Sequence, residues 1–219
     1  EDANEILELE PKEEVELIEI KNLIEKSISF RKKQGAIIFE SSNCKIKLYK
    51  DKVILNKLEK TISQIIVSES MILMGYVTSL FIHKYNLPAA FRIQKINCNP
   101  SEILDRYNDS EIKYIILKQY MGRSYITSKP GVHESLGLQM YVQCTSPLRR
   151  YLDLIIQRQV YNKINNFKSL SINSISNIID YSKNRQIENN NIFKNDKFKY
   201  LTLFFKNEKK PFYKIIFVK

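Results

Sequence analysis

Hydrophobic and polar positions along this chain change period several times, and each change marks an element. From about Lys12 to Gln34 the spacing predicts a helix. Leu17, Ile20, Ile24 and Ile28 mark one side and Val15, Ile18, Asn22 and Glu25 the other. Acid stands early in it and Arg31, Lys32 and Lys33 stand late, which suits the helix dipole. Gly35 is a natural C-terminal stop. Ala36 to Glu40, Lys45 to Lys50 and Val53 to Leu58 are short runs that alternate or stay apolar, with Ser-Ser-Asn and Lys-Asp between them. They predict a small antiparallel meander. Lys45, Lys47 and Lys50 form either a basic sheet face or simply its solvated side. Residues 1–12 are acidic with few large apolar groups, and read as disorder, a linker or a strand remnant.

The most apolar segment is Gln64 to Tyr85. It predicts a central helix buried nearly all round, too often interrupted by polar residues to span a bilayer. Glu69 is then out of place. A buried carboxylate is costly unless paired or functional, and the alternative is partial exposure on a polar stripe with Ser68 and Ser70. Asn86-Leu87-Pro88 stops that helix, and Ala89 to Gln94 reads as a strand. Asn99-Pro100-Ser101 opens a short helix to about Tyr107, and Ser110 caps another to about Tyr120. Met121 to Gln143 reads as strand and loop. Two long helices follow, Pro147 to about Ile164 and Ser171 to about Lys206, and Pro211 to Lys219 reads as one strand.

Composition narrows the partners. Of 219 residues, 43% are hydrophobic, enough for a substantial core, while 35 Lys+Arg against 24 Asp+Glu give a formal net charge of +11. That balance favours a polyanion, nucleic acid ahead of membrane. No secretory signal opens the chain, which begins on Glu1 and reads as a processed or excerpted segment. Cys44, Cys98 and Cys144 lie far apart without metal-ligand spacing, so a reducing, intracellular compartment is expected. His83 and His133 are too few for a histidine-based metal site.

The densest chemistry lies between Tyr141 and Leu154. Thr145 or Ser146 can cap a helix, and Pro147 fits its first turn. Leu148, Leu152 and Ile155 share an apolar stripe. Arg149 and Arg150 then stand at the helix N-terminus, where the dipole is already positive. Two hydroxyls, two guanidiniums and a helix start make a site for an anion, above all a phosphate. The alternative is one arginine paired with Asp153 and the other solvated.

Tyr141-x-x-x-Thr145-Ser146-Pro147-Leu148-Arg149-Arg150-Tyr151-x-Asp153-Leu154 resembles the signature of the RNB family, the exoribonucleases of ribonuclease II and ribonuclease R type. Gln143 and Cys144 replace its usual His and Phe. Three further segments resemble the family: Glu69-Ser70-Met71-Ile72-Leu73, Phe91-Arg92-Ile93-Gln94 and His133-Glu134-Ser135-Leu136-Gly137-Leu138. Gln94 in place of His is a feature of cyanobacterial and plastid members. The resemblance implies an α+β fold in which residues 13–208 are the C-terminal half of an RNB catalytic domain. A mixed sheet would pack on three long helices, and residues 209–219 would start a truncated S1-like (OB) domain.

It further implies 3′-to-5′ hydrolysis of single-stranded RNA to nucleoside 5′-monophosphates. The full-length enzyme would be a monomer without membrane attachment, in a bacterial cytoplasm or a plastid. Arg149 would brace the scissile phosphate. Arg150, Thr145, Ser146, Glu69, Arg92, His133 and Tyr141 would contact RNA, with Asp153, Tyr151 and Pro147 in support. For His133 a purely structural role fits equally well. Mg²⁺ is implied, but its aspartate cluster is missing: Asp2, Asp51, Asp105, Asp109, Asp153, Asp180 and Asp196 are scattered singly. A non-catalytic RNA-binding or scaffold module derived from that fold is the alternative. Many members carry an acid near the middle of the last helix; Phe193 stands at about that place here, with Glu188 a turn and a half earlier.

Overall fold

A computed structural model describes residues 2–9, 14–38, 43–50, 52–58, 60–106 and 110–208. Near the N-terminus, α1 (Asp2–Leu9) and α2 (Val15–Lys33) pack on α3 (Ile62–Lys84). Leu7, Ile24 and Ile66 bury one small core there, with Leu17 and Ile28 at its edge. Residues 2–9 are therefore a helix, not disorder or a strand remnant. Leu7 supplies the apolar anchor that the acidic composition hides, the Lys21 ammonium donates to the Leu7 carbonyl at 3.1 Å, and the Asn4 carboxamide accepts from Ser63 N–H at 3.0 Å. Asn4 thereby satisfies one of the free donors at the start of α3, and the Thr61 hydroxyl takes that of Gln64.

α3 is 23 residues long and, by length and composition, apolar enough to cross a membrane, which corrects the expectation that no segment is. It is also not buried all round. Its buried stripe is Ile66, Glu69, Gly75, Thr78, Ser79 and Ile82, while Val67, Met74 and Val77 are exposed. Periodicity misleads here because the buried face is built from small and polar residues that admit close neighbours. A Cβ on Gly75 would stand 2.4 Å from the Tyr141 ring and 2.4 Å from the Val142 carbonyl. The Ser79 hydroxyl lies 3.2 Å from the Met140 carbonyl.

Between α2 and α3, β1 (Asn43–Tyr49) and β2 (Lys52–Leu58) form an antiparallel hairpin with Tyr49 opposite Lys52. Of the predicted first strand, 36–38 are irregular and the rest lies outside the described residues. Lys45, Lys47 and Lys50 are exposed, on the solvated side.

The second core joins the end of α3 to β3 (Phe91–Ile93), α6 (Tyr151–Ile164) and α7 (Ile172–Asn207) through Ile82, Phe91, Val142, Ile155, Ile156 and Ile175. β3 pairs antiparallel with β4 (Tyr125–Thr127), beyond the helices α4 (Pro100–Arg106) and α5 (Ser110–Tyr120). The α+β content holds, but in place of one mixed sheet the described residues form two separate two-stranded antiparallel sheets. The S1-type strand lies outside the described residues. α7, 36 residues long, starts where Ser171 caps Ser174 N–H at 3.2 Å.

Candidate functional site

The Thr145–Arg150 segment is not the first turn of a helix. Arg150 is extended (φ −129°, ψ 105°) and α6 begins at Tyr151, so Pro147 to Arg149 form a turn in front of it. The buried carboxylate of Asp153, 1% exposed, causes this. Its Oδ2 accepts from Ser146 N–H at 2.9 Å and from Arg150 Nε at 3.0 Å, and Arg150 Nη2 lies 2.7 Å away. Both Arg149 N–H and Arg150 N–H donate to the Ser146 carbonyl. One carboxylate thus ties the turn to the helix and fixes the Arg150 guanidinium, which also reaches the Thr145 hydroxyl at 3.4 Å. Leu148 leaves the expected apolar stripe and is fully exposed.

Arg92, on β3, is held as firmly. Its Nη2 donates to Ser124 Oγ at 2.7 Å and its Nη1 to Gln143 Oε1 at 2.8 Å. Burial lowers the Arg92 pKa from its ordinary value. Gln143 therefore orients an arginine from the position where the family has a histidine. Cys144 is buried in the core, its Sγ 3.5 Å from the Thr78 hydroxyl, and burial raises its pKa. Arg149, by contrast, is exposed, and its Nη2 lies 3.5 Å from Ser146 Oγ.

Arg92, Gln143, Arg149, Arg150 and Asp153 meet in an open pocket of about 420 Å³, and α7 forms its other side. Arg92, Arg149, Arg150 and Arg185 line it against a single carboxylate, Asp153. Arg185 is oriented by Glu188 at 3.0 Å and lies over the Tyr181 ring at 5.8 Å. Tyr181, Arg185 and Asn189 recur at four-residue spacing, but nothing local indicates that this helix crosses the start of α6. Asp153 and Tyr151 line the pocket wall, and Thr145, Ser146 and Pro147 belong to the turn in front of α6.

Three predicted RNA contacts lie elsewhere. Glu69, 7% exposed, pairs with Arg31 at 2.5 Å between α2 and α3. Tyr141 is buried with its ring edge-on to His133 and against Gly75, and burial raises its pKa. His133 is buried as well, with Nδ1 3.4 Å from the Ser135 hydroxyl, which in turn bonds Gln94. The sequence pattern placed all three next to motif residues, and packing between α3 and the 133–142 segment takes them inside.

Burial, with a smaller contribution from the Arg92 charge, lowers the His133 pKa from 6.5 to about 4. The unfolded chain therefore binds a proton that the folded chain refuses across that window. Stability should be full above about pH 6.5 and fall towards pH 4, by up to about 3 kcal/mol. Urea unfolding of the wild type and of His133→Gln at pH 7.5 and 4.5 checks this. An equal drop in both proteins would remove His133 as the cause.

Among the described residues no three His, Cys, Asp or Glu side chains gather where they could hold a metal ion. Asp153 is already engaged by Arg150 and Ser146 N–H. The residues of this pocket do not fit Mg²⁺; they fit a phosphate.

The RNB domain profile matches residues 1–166. An uncharacterized ribonuclease of Synechocystis sp. is 36% identical over 162 residues, covering 73% of this chain and 24% of that protein. Among solved structures, Mycoplasma genitalium RNase R in complex with ribose-methylated single-stranded RNA superposes with a TM-score of 0.72 at 18% identity, over 84% of this chain and 35% of that one. A yeast pseudonuclease shares the fold with a TM-score of 0.58 at 17% identity, over 76% of this chain and 25% of that one. The chain thus spans about a quarter of the length of that Synechocystis protein.

Proposed function

The chain belongs to the RNB domain family, and from that premise we propose that it is the RNA-holding half of a 3′-to-5′ exoribonuclease acting on single-stranded RNA. The reaction is hydrolysis of a phosphodiester with release of a nucleoside 5′-monophosphate. The observation that carries this reading is the division of labour among the arginines. Arg92 and Arg150 are clamped by Ser124, Gln143 and Asp153. They present fixed charge to a phosphate at no ordering cost when RNA binds. Arg149 is uncommitted and free to follow the charge that develops on the scissile phosphate.

Arg185 adds a fourth cation from the opposite wall. Mg²⁺, when present in the whole enzyme, would supply an activated water, and its ligands belong to residues other than those of this pocket. Cytoplasmic or plastid residence and a monomeric full-length enzyme complete the reading.

A salt titration of oligonucleotide binding tests it. Affinity for a single strand should fall steeply with salt, with a log–log slope of about −0.7 per phosphate neutralised. Arg185→Gln should flatten that slope by about 0.7 and weaken binding to every sequence alike. A salt-insensitive complex would sink the phosphate assignment.

The non-catalytic reading keeps one specific observation in its favour, the absence of a carboxylate cluster among the described residues. An immunoblot of the native polypeptide separates the two. A band several times larger than 25.9 kDa supports an active exoribonuclease. A band near that mass supports an RNA-binding or scaffold module, unless a partner chain brings the carboxylates.

A further inference from the structure

One stripe of α7 runs from the core into the pocket and then out of the protein. Ile175 and Ile179 are buried. Ser182, Gln186, Asn189 and Asn190 line the pocket. Phe193 follows Asn190 by three residues, Asn189 by four and Gln186 by seven, so it continues the same face one turn further on, about 5 Å along the axis. Yet Phe193 is 72% exposed. A large aromatic ring thus stands in water on the side of the helix that faces the arginines.

We infer that Phe193 is a stacking platform for a nucleobase whose phosphates lie in the arginine pocket. The inference rests on the RNA reading proposed above and adds a base contact to it. Ile192 and Phe198 are exposed near Phe193 on α7, and the lysines and the arginine pocket beside it favour a nucleotide over a purely apolar partner. One turn beyond the ring on the same face stand Asp196 and Lys197, Lys194 follows the ring directly, and Asn189, Asn190 and Asn191 precede it without charge. The nearby Glu188 is paired with Arg185. An aromatic ring beside fixed cations is the combination that holds single strands. The cations track the backbone and the ring takes any base, because every base has a π-face. Discrimination between bases is therefore not expected at this position.

The chain contains no tryptophan, so Phe193→Trp carries a single tryptophan at the proposed contact. Because the residue is exposed, the substitution leaves the core untouched. The whole chain is titrated with a short oligoadenylate and, in parallel, with an abasic oligonucleotide of the same length. Anisotropy of the labelled strands gives Kd for wild type, Phe193→Trp and Phe193→Leu. Tryptophan emission should be quenched by the base-bearing strand and not by the abasic one. Phe193→Leu should weaken oligoadenylate binding by about tenfold, while Phe193→Trp stays within about twofold of wild type.

The salt slope should be the same in all three proteins, since no phosphate contact is lost. Quenching by both strands, or an unchanged Kd in Phe193→Leu, overturns the stacking role while leaving the phosphate pocket intact. A wild-type chain that binds neither strand overturns the RNA reading itself, and the stacking role with it.

Discussion

Arg149→Ala in the complete polypeptide should lower kcat by about a hundredfold or more, with little change in RNA affinity. The reason lies in how the pocket arginines are held. Arg92 and Arg150 are already fixed by their hydrogen bonds and contribute equally to the bound substrate and to the transition state. Arg149 has one long contact to Ser146 Oγ and can tighten onto the phosphate only as charge builds there. Single-turnover cleavage of a labelled single strand, measured beside equilibrium binding, separates the two effects. Loss of affinity with kcat preserved would make Arg149 an ordinary backbone contact. Arg150→Ala is a poorer probe, because it strips the buried Asp153 of its guanidinium and disturbs the turn itself.

Removing one partner of the Arg31–Glu69 pair is the second large effect. Arg31 is buried, its Nη2 lies 2.5 Å from Glu69, and its Nη1 donates to the Leu136 carbonyl at 3.1 Å. It ties α2 to α3 and to the Glu134–Leu136 turn, while its Nε has no partner. Arg31→Ala or Glu69→Ala leaves one buried charge alone and should cost about 3–5 kcal/mol. The double replacement Arg31→Met with Glu69→Leu should recover most of that loss, because two buried ions also carry a desolvation penalty. Urea midpoints for the three proteins decide it. If Glu69→Ala left stability unchanged and weakened RNA binding instead, Glu69 would act as the RNA contact that the family resemblance implies.

Much of this protein was legible locally. The helices at residues 62–84, 110–120 and 172–207 follow from apolar periodicity and the stops between them, and in the structure Thr61 and Ser171 cap the first and the last. The pairing of Arg149 with Arg150 at one point of the chain was likewise written in consecutive residues, as was the family itself. Four things required the tertiary structure. Leu7 makes a helix of an acidic terminus only because α2 and α3 provide a place to bury it.

Glu69, His133 and Tyr141 stand in the motif segments, but the Arg31 pair and the packing of Tyr141 on Gly75 and His133 hold them inside. Asp153 moves the start of α6 from Pro147 to Tyr151 by accepting a backbone N–H from seven residues earlier. Arg185 and the stripe leading to Phe193 join the pocket because α7 crosses the start of α6. Periodicity and capping depend on neighbours a few residues apart, so sequence alone determines them. Which face meets which partner depends on contacts between residues far apart in the chain, and only the folded structure decides those.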